Sequence, residues 1–451
     1  MTYSNEKKIL NEPKGSIDIN NSSNSGELTK ASNKSWVIWG AAVAFYLYEY
    51  ILRVSPSVMT DSLMLHFSVN ATALGVLSSF YYYAYVPLQI PGGVIVDWLG
   101  ARKVVTISAL LCVVGTIIFA TSESLFLAQI GRLLIGAGSA CAFISCLKIS
   151  AEWFPVSMFA MLAGVCQAMG TVGGTFGGRP FAMLVNAIGW QEALILAAAV
   201  GLGIMAAAWL LIRDKPTPPL SDKSSESPTL MEGLKVVVSN PQSWLIGAYG
   251  GLMYMPISAF AELWAVPFYK ELYGIDNELA STISIMMFIG IAVGCPIGAW
   301  ISDTIKSRTK VMAGSALLTM LMFMLVVYVP MSIGFMVVTL FITGVTCGGQ
   351  IMYFPANKEI NPSYVSGTTA GFTNCLVMVS GIIFQPLLGR VLDLAWNGDL
   401  KADGTPYYSV SDYQQALLSV PLCLLAAWLI LLFVRDTYPK NANFKIKAGV
   451  K

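Results

Sequence analysis

Glu49 and Arg53 stand four residues apart inside an apolar run, Tyr48-Glu49-Tyr50-Ile-Leu-Arg53-Val-Ser-Pro56. On a helix this spacing places both on one face. Either the two neutralise each other as a structural ion pair, or their roles split. In the split reading the guanidinium holds an anionic group by bidentate hydrogen bonds, and the carboxylate carries a proton. Further ionisable residues interrupt other apolar runs: Arg132, Arg179, and Glu262 close to Trp264. Charge is costly away from water and marks functional sites by default. The expected assignment is therefore Arg53 or Arg132 as the anion clamp, and Glu49 or Glu262, desolvated, as the coupling carboxyl. Phe80-Tyr81-Tyr82-Tyr83-Ala-Tyr85 wraps every face of a helix, so some rings face lipid. Tyr82 and Trp264 are the aromatic candidates for solute contact.

The elements that must hold these groups are membrane spans. The 451 residues are 55% hydrophobic and only 12% charged, about half the charged fraction of a soluble domain. A hydrocarbon core needs roughly 20 apolar residues per helix. Runs of that kind are predicted at 36–59, 72–96, 103–121, 125–147, 158–184, 189–212, 243–268, 279–301, 310–329, 332–354, 366–394 and 413–434, here called spans one to twelve. A polar N-terminal tail (1–35), a central connection (213–241) and a C-terminal tail (435–451) flank two six-span halves, 36–212 and 242–434. The tail at 1–35 has no apolar core of signal-peptide type. Twenty-one of the 27 Lys and Arg fall on the side of both termini, and only Lys270 and Lys401 in the opposite loops. That bias puts both termini in the cytoplasm. At ~1.5 Å per residue, Arg53, Arg132 and Glu262 share a depth roughly 6–10 Å outward of the midplane, with Glu49 nearer to it and Arg179 further out. Arg179 and Arg390 are expected to snorkel or pair near the outer surface, Arg390 with Asp393. His66, in the outer loop after span one, is expected to relay no proton. Lys148 and Glu152, four apart at the inner end of span four, form either a gate or a solvated helix-end pair. The eight cysteines lie in apolar runs and read as small buried hydrophobes.

The halves echo each other. Asp97 and Arg102 recur as Asp303 and Arg308 at an offset of 206, and Ala163-Gly164 as Ala370-Gly371 at 207. Parallel repeats of this type place the substrate at their interface near the midplane. The segment Gly93-Val-Ile-Val-Asp97-Trp-Leu-Gly100-Ala-Arg102-Lys103 resembles the signature loop of the major facilitator superfamily, with Trp98 where a basic residue is usual. Arg132-x-x-x-Gly136-x-Gly138 is similar to that family's span-four arginine motif, and span five is glycine-rich without the Gly-Pro pair of many antiporters. The resemblance, from Trp36 to Val434, implies an all-α integral membrane fold of twelve helices in two pseudo-symmetric halves. It further implies that spans one, four and seven line the central cavity. Gly93, Asp97, Gly100, Arg102, Lys103, Asp303 and Arg308 would form a conformational latch at the cytoplasmic helix ends. The span-five glycines read as close-packing positions.

The expected function is secondary transport across the inner membrane by alternating access, proton-coupled, of a small anionic or zwitterionic solute: a carboxylate, amino acid, short peptide or siderophore. The alternatives are a multidrug or metabolite exporter and a transporter-like receptor. The missing Gly-Pro pair and the arginines argue against a drug exporter, and a central connection of about 28 residues against an appended sensor domain. No enzyme is expected, since no nucleophile–base set, metal cluster or phosphate loop appears. The expected partners are the solute, protons and the bilayer, with no cofactor, metal or nucleic acid, and a monomeric state.

Overall fold

The computed structural model describes residues 32–155, 158–214, 230–436 and 438. Most of the polar N-terminal tail, the central connection and the C-terminal tail thus lies outside the described residues. Each expected span is a helix or a train of helices. The first half comprises Asn33–Val54, Ala71–Leu99, Ala101–Thr121, Leu125–Ser139 continued by Ala142–Trp153, Phe159–Gly177 continued by Arg179–Ile188, and Trp190–Leu211. In the second half, span seven runs Pro241–Met255, Pro256–Trp264 and Ala265–Tyr273. There follow Asn277–Ile305, Arg308–Tyr328, Ile333–Gly348 with Tyr353–Glu359, Ser366–Ala395, and Val410–Leu417 with Ser419–Ile430. Among the described residues nine of these are long and apolar enough to cross a bilayer alone. A tenth is added when Thr60–Phe67 is joined to span two across a 109° bend. Spans five and seven are interrupted, at Gly178 and by a π-helical segment at Pro256–Trp264.

Proline explains the breaks nearest the ionisable residues. Pro56 cannot donate to the carbonyl of Leu52, and span one ends there in a 3-10 turn, Ser55–Val58. Pro256 likewise has no N–H to give its own preceding turn, and the π register that begins at it carries Ser258, Glu262 and Trp264 inward. Such segments recur at functional positions.

Small residues let the helices touch. A Cβ on Gly173 in span five would lie 2.5 Å from Leu47 O in span one. Across the seam, a Cβ on Gly75 would meet Gln385 O at 2.5 Å and one on Gly389 would meet Ala71 O at 2.2 Å, so spans two and eleven pack backbone to backbone. Gly136 is the tightest: its Cβ would stand 1.9 Å from Tyr81 O. Gly136→Ala must push span four off span two, where overpacking typically costs about 1–3 kcal/mol. A thermal melt lowered by several degrees is expected. Gly40→Ala, with no atom within 4 Å, is the neutral control, and equal melts for the two would disprove the contact.

Ser32 and Asp436 lie on one face of the bundle, called here the near face; the end of span seven that holds Lys270 and the connection that holds Lys401 lie on the far face. At the far face the halves are tied together. Asp61 of the first half pairs with Lys270 at 2.5 Å and Lys401 at 2.9 Å, and Asn277 Nδ2 donates to Val58 O at 2.6 Å. Asp393, at the end of span eleven, accepts from the backbone N–H groups of Ala71 (3.2 Å) and Thr72 (2.9 Å) and from the Thr72 hydroxyl. The C-terminal half thereby caps a helix of the N-terminal half. Asp393 is thus drawn to span two rather than to Arg390, which lies exposed. Toward the near face Lys148 pairs with Asp97 and Glu152, and Arg308 with Asp303 and Glu359, each within its own half.

Candidate substrate and coupling site

Glu49 and Arg53 do meet: Arg53 Nη2 lies 3.2 Å from Glu49 Oε1 and 3.3 Å from Oε2. Tyr81 of span two closes a triangle, accepting from Arg53 Nε at 2.9 Å and donating to Glu49 Oε2 at 2.9 Å. Three tyrosine rings enclose the guanidinium, with Tyr50, Tyr85 and Tyr81 centroids at 4.1, 5.0 and 5.2 Å. Cation–π attraction strengthens when the cation is desolvated, and Arg53 and Glu49 are only 2% and 0% exposed. The cage suits a cation whose counter-ion can change, because the rings hold the guanidinium in place while the carboxylate partner is exchanged.

Glu262 approaches the same region from the opposite half. Its Oε2 accepts a short hydrogen bond from the Tyr82 hydroxyl, and its Oε1 accepts from Tyr254 at 3.4 Å. Adjacent residues of one helix therefore address opposite halves, Tyr81 holding Glu49 and Tyr82 holding Glu262. Tyr83 turns outward and is 40% exposed, which divides the aromatic run between site and bilayer. Trp264 is buried, its indole N–H directed at Gln385 O at 3.4 Å.

Arg132 reaches the same level but binds no carboxylate. Its Nη1 donates to Leu52 O at 2.9 Å, and its Nη2 lies 3.5 Å from Arg53 O and 3.4 Å from Ser78 O. Leu52 O is the carbonyl that Pro56 leaves without a backbone donor. The guanidinium replaces that missing N–H and fastens span one to span two. Arg132 thus sits beneath Arg53, fixing the backbone that carries it.

The signature-loop residues pair differently from the expected latch. Asp97 pairs with Lys148 at 3.0 Å, and Lys148 also approaches Glu152 at 3.8 Å. Arg102 turns away, donating from Nε to Trp209 O at 2.9 Å and stacking on the Trp209 ring at 4.1 Å. Gly100 makes that turn possible with φ +82°, and Asp214 accepts from the Arg102 backbone N–H at 3.1 Å. Gly93 has open space beside its Cα, while Lys103 and Trp98 are exposed. In the second half Arg308 keeps the expected pair, with Asp303 at 2.9 Å, and adds Glu359 at 3.2 Å. Asp436 accepts from the Arg308 backbone N–H at 3.0 Å. This cap repeats that of Asp214, and sequence reasoning missed it although both aspartates follow an arginine: Arg213-Asp214 and Arg435-Asp436. Tyr81 was likewise unassigned; its place one turn before Tyr85 was the available signal. Arg179 is exposed. His66 donates to Ser122 O at 3.1 Å and packs edge-on against Phe67 and Trp190, a loop-anchoring role.

Two helical halves thus close on a buried set of two carboxylates and two guanidiniums. The chain belongs to the Major Facilitator Superfamily, which residues 38–386 match. It is 26% identical over 295 residues to the Probable sulfoacetate transporter SauU of Cupriavidus necator, a stretch covering 60% of this chain and 66%, just under two thirds, of that relative. It is 23% identical over 377 residues to the Hexuronate transporter of Bacillus subtilis, covering 78% and 86% of the two chains. Its fold superposes with a TM-score of 0.75 on a bacterial homologue of the human lysosomal transporter Spinster, at 13% identity, covering 90% of this chain and 97% of that one. The chain is accordingly a multi-pass membrane protein of that superfamily.

Proposed function

We propose that the protein carries a small organic anion by alternating access, coupled to protons, with both chain ends in the cytoplasm of a cell whose inner membrane it spans as a monomer. The observation that carries this reading is the caged Arg53, whose ion-pair partner among the described residues is Glu49. An isolated buried ion is far more costly than a paired one. Protonating Glu49 leaves Arg53 without a counter-ion, and a substrate carboxylate or sulfonate supplies one through the charge-assisted bonds that guanidinium favours. One proton balances a monoanion such as a hexuronate and leaves the net charge of the cluster unchanged, whereas the dianionic sulfoacetate needs two. Proton and anion therefore favour each other's binding, and by linkage the favour is reciprocal. Sulfoacetate and hexuronates, named for two relatives, have the chemistry this site takes. Glu262, in the other half, is the second candidate proton carrier, with Tyr82 as its hydrogen-bond partner. Under this topology the near face is cytoplasmic, and the far-face tie makes the present conformation one closed to the outside.

The test is accumulation of labelled sulfoacetate or glucuronate in proteoliposomes under an imposed inward proton gradient. Glu49→Gln is expected to abolish gradient-driven accumulation while preserving the binding of anions to Arg53. Undiminished accumulation in both Glu49→Gln and Glu262→Gln would sink the coupling assignment.

A further inference from the structure

The far face encloses a cavity of about 220 Å³, lined among others by Thr60, Asp61, Trp264, Lys270, Lys401 and Tyr408. It is smaller than the roughly 300–1,000 Å³ of pockets for drug-sized ligands, which suits a small acid. Lys270 and Lys401, both on the far face, come from opposite ends of the second half, yet both point at one carboxylate of the first. Lys270 Nζ lies 2.5 Å from Asp61 Oδ2 and Lys401 Nζ 2.9 Å from Asp61 Oδ1. The positive-inside bias depletes such residues from this face, so the convergence of the two that remain calls for a reason beyond topology.

A carboxylate held between two ammonium groups is the complex an organic anion would form there, with Asp61 standing in the ligand's place. Burial pushes the Asp61 carboxyl up, but the two lysines outweigh it and hold the group below its ordinary range. It is thus ionised, and competes as an anion, throughout the physiological range. Side-chain exposures of 30% for Lys270, 34% for Lys401 and 40% for Asp61 leave all three within reach of solute. Glu271, the other acid lining the cavity, accepts from the Tyr407 hydroxyl. The floor is Trp264, in the same π segment as Glu262.

We propose that Lys270 and Lys401 form an outer docking site for the carboxylate of the arriving solute, with Asp61 as its built-in competitor. The anion takes both ammonium groups, Asp61 is released, and the two halves come untied at the far face. Partly exposed ion pairs are individually weak, so a solute carboxylate can displace one. The inference rests on the organic-anion reading of the central site and adds a second site about the same ligand class.

Calorimetric titration of purified protein with sulfoacetate and with glucuronate, at low and moderate salt, tests it. In wild type two binding components are expected. Arg53→Gln should remove the tighter, central one and leave a weaker, salt-sensitive one. Adding Asp61→Asn should tighten that remainder by about tenfold, because a competitor that occupies the site lowers apparent affinity by the fraction left competent. Adding Lys270→Gln with Lys401→Gln should abolish it, and if that variant melts early, Lys270→Arg with Lys401→Arg should retain it. The proposal is overturned if Arg53→Gln with Asp61→Asn binds neither anion, or if the remainder ignores both Asp61 and the lysines. Failure of the central reading would appear separately, as a tighter component untouched by Arg53→Gln.

Discussion

Arg53→Ala is expected to abolish transport and to destabilise the protein, and pairing it with Glu49→Gln is expected to restore the stability alone. Truncating one partner of a buried ion pair typically costs about 3–5 kcal/mol, because the other charge is left uncompensated. Here that charge is Glu49, fully buried and held otherwise by Tyr81. Removing both charges removes the imbalance, so the double variant should melt near wild type. It should remain inactive, since no guanidinium is left in the tyrosine cage to receive an anion. Thermal melts together with proteoliposome uptake of sulfoacetate or glucuronate separate the two effects. Uptake by the double variant would show that Arg53 is a structural partner of Glu49 and no more.

Arg132→Ala should behave in the opposite manner. Its guanidinium serves backbone carbonyls at 2.9–3.5 Å, leaving Leu52 O only the Ser55 hydroxyl at 3.0 Å when it is removed, and a hydrogen bond to a charged group contributes about 1.5–3 kcal/mol. Loss of a large, buried side chain adds a cavity on top of that. The expected result is severe loss of folded protein, partly recovered by Arg132→Lys, which returns one donor to Leu52 O. No second-site loss of charge should rescue it, because no carboxylate depends on it. A variant that melted normally but failed to bind anions would return Arg132 to the role of ligand contact. Two arginines of equal burial thus divide the labour, one holding an exchangeable counter-ion and the other holding fixed carbonyls.

That division shows what a linear reading can see. Hydropathy exposed the spans, and an offset near 207 exposed the two halves. The i, i+4 spacing was enough to bring Glu49 and Arg53 together, since both sit on one helix. Arg132 could not be told from Arg53, because its partners are backbone oxygens, the nearest of them freed by Pro56, a residue 76 positions away. Asp393 reads as a neighbour of Arg390, but the free N–H groups at the start of span two, 322 residues distant, offer it more. The repeated Arg-Asp caps escaped for a different reason. They recur at an offset of 222, because the connection between Ala395 and Val410 is longer than that between Ile188 and Trp190. A search tuned to one offset passes over a repeat displaced by an insertion.

The adjacency of Tyr81 and Tyr82 has a mechanical consequence. Span two moves with its own half, so the Tyr81–Glu49 bond travels with the body that contains both ends. The Tyr82–Glu262 bond crosses the boundary between bodies and cannot survive their relative rotation. Under the alternating access proposed above, Tyr82 would act as a shear pin, intact while the machine stands still and broken once in every stroke. The hold of that phenol on the carboxyl then adds to the far-face ties through Asp61, Asn277 and Asp393 in setting the barrier to that stroke.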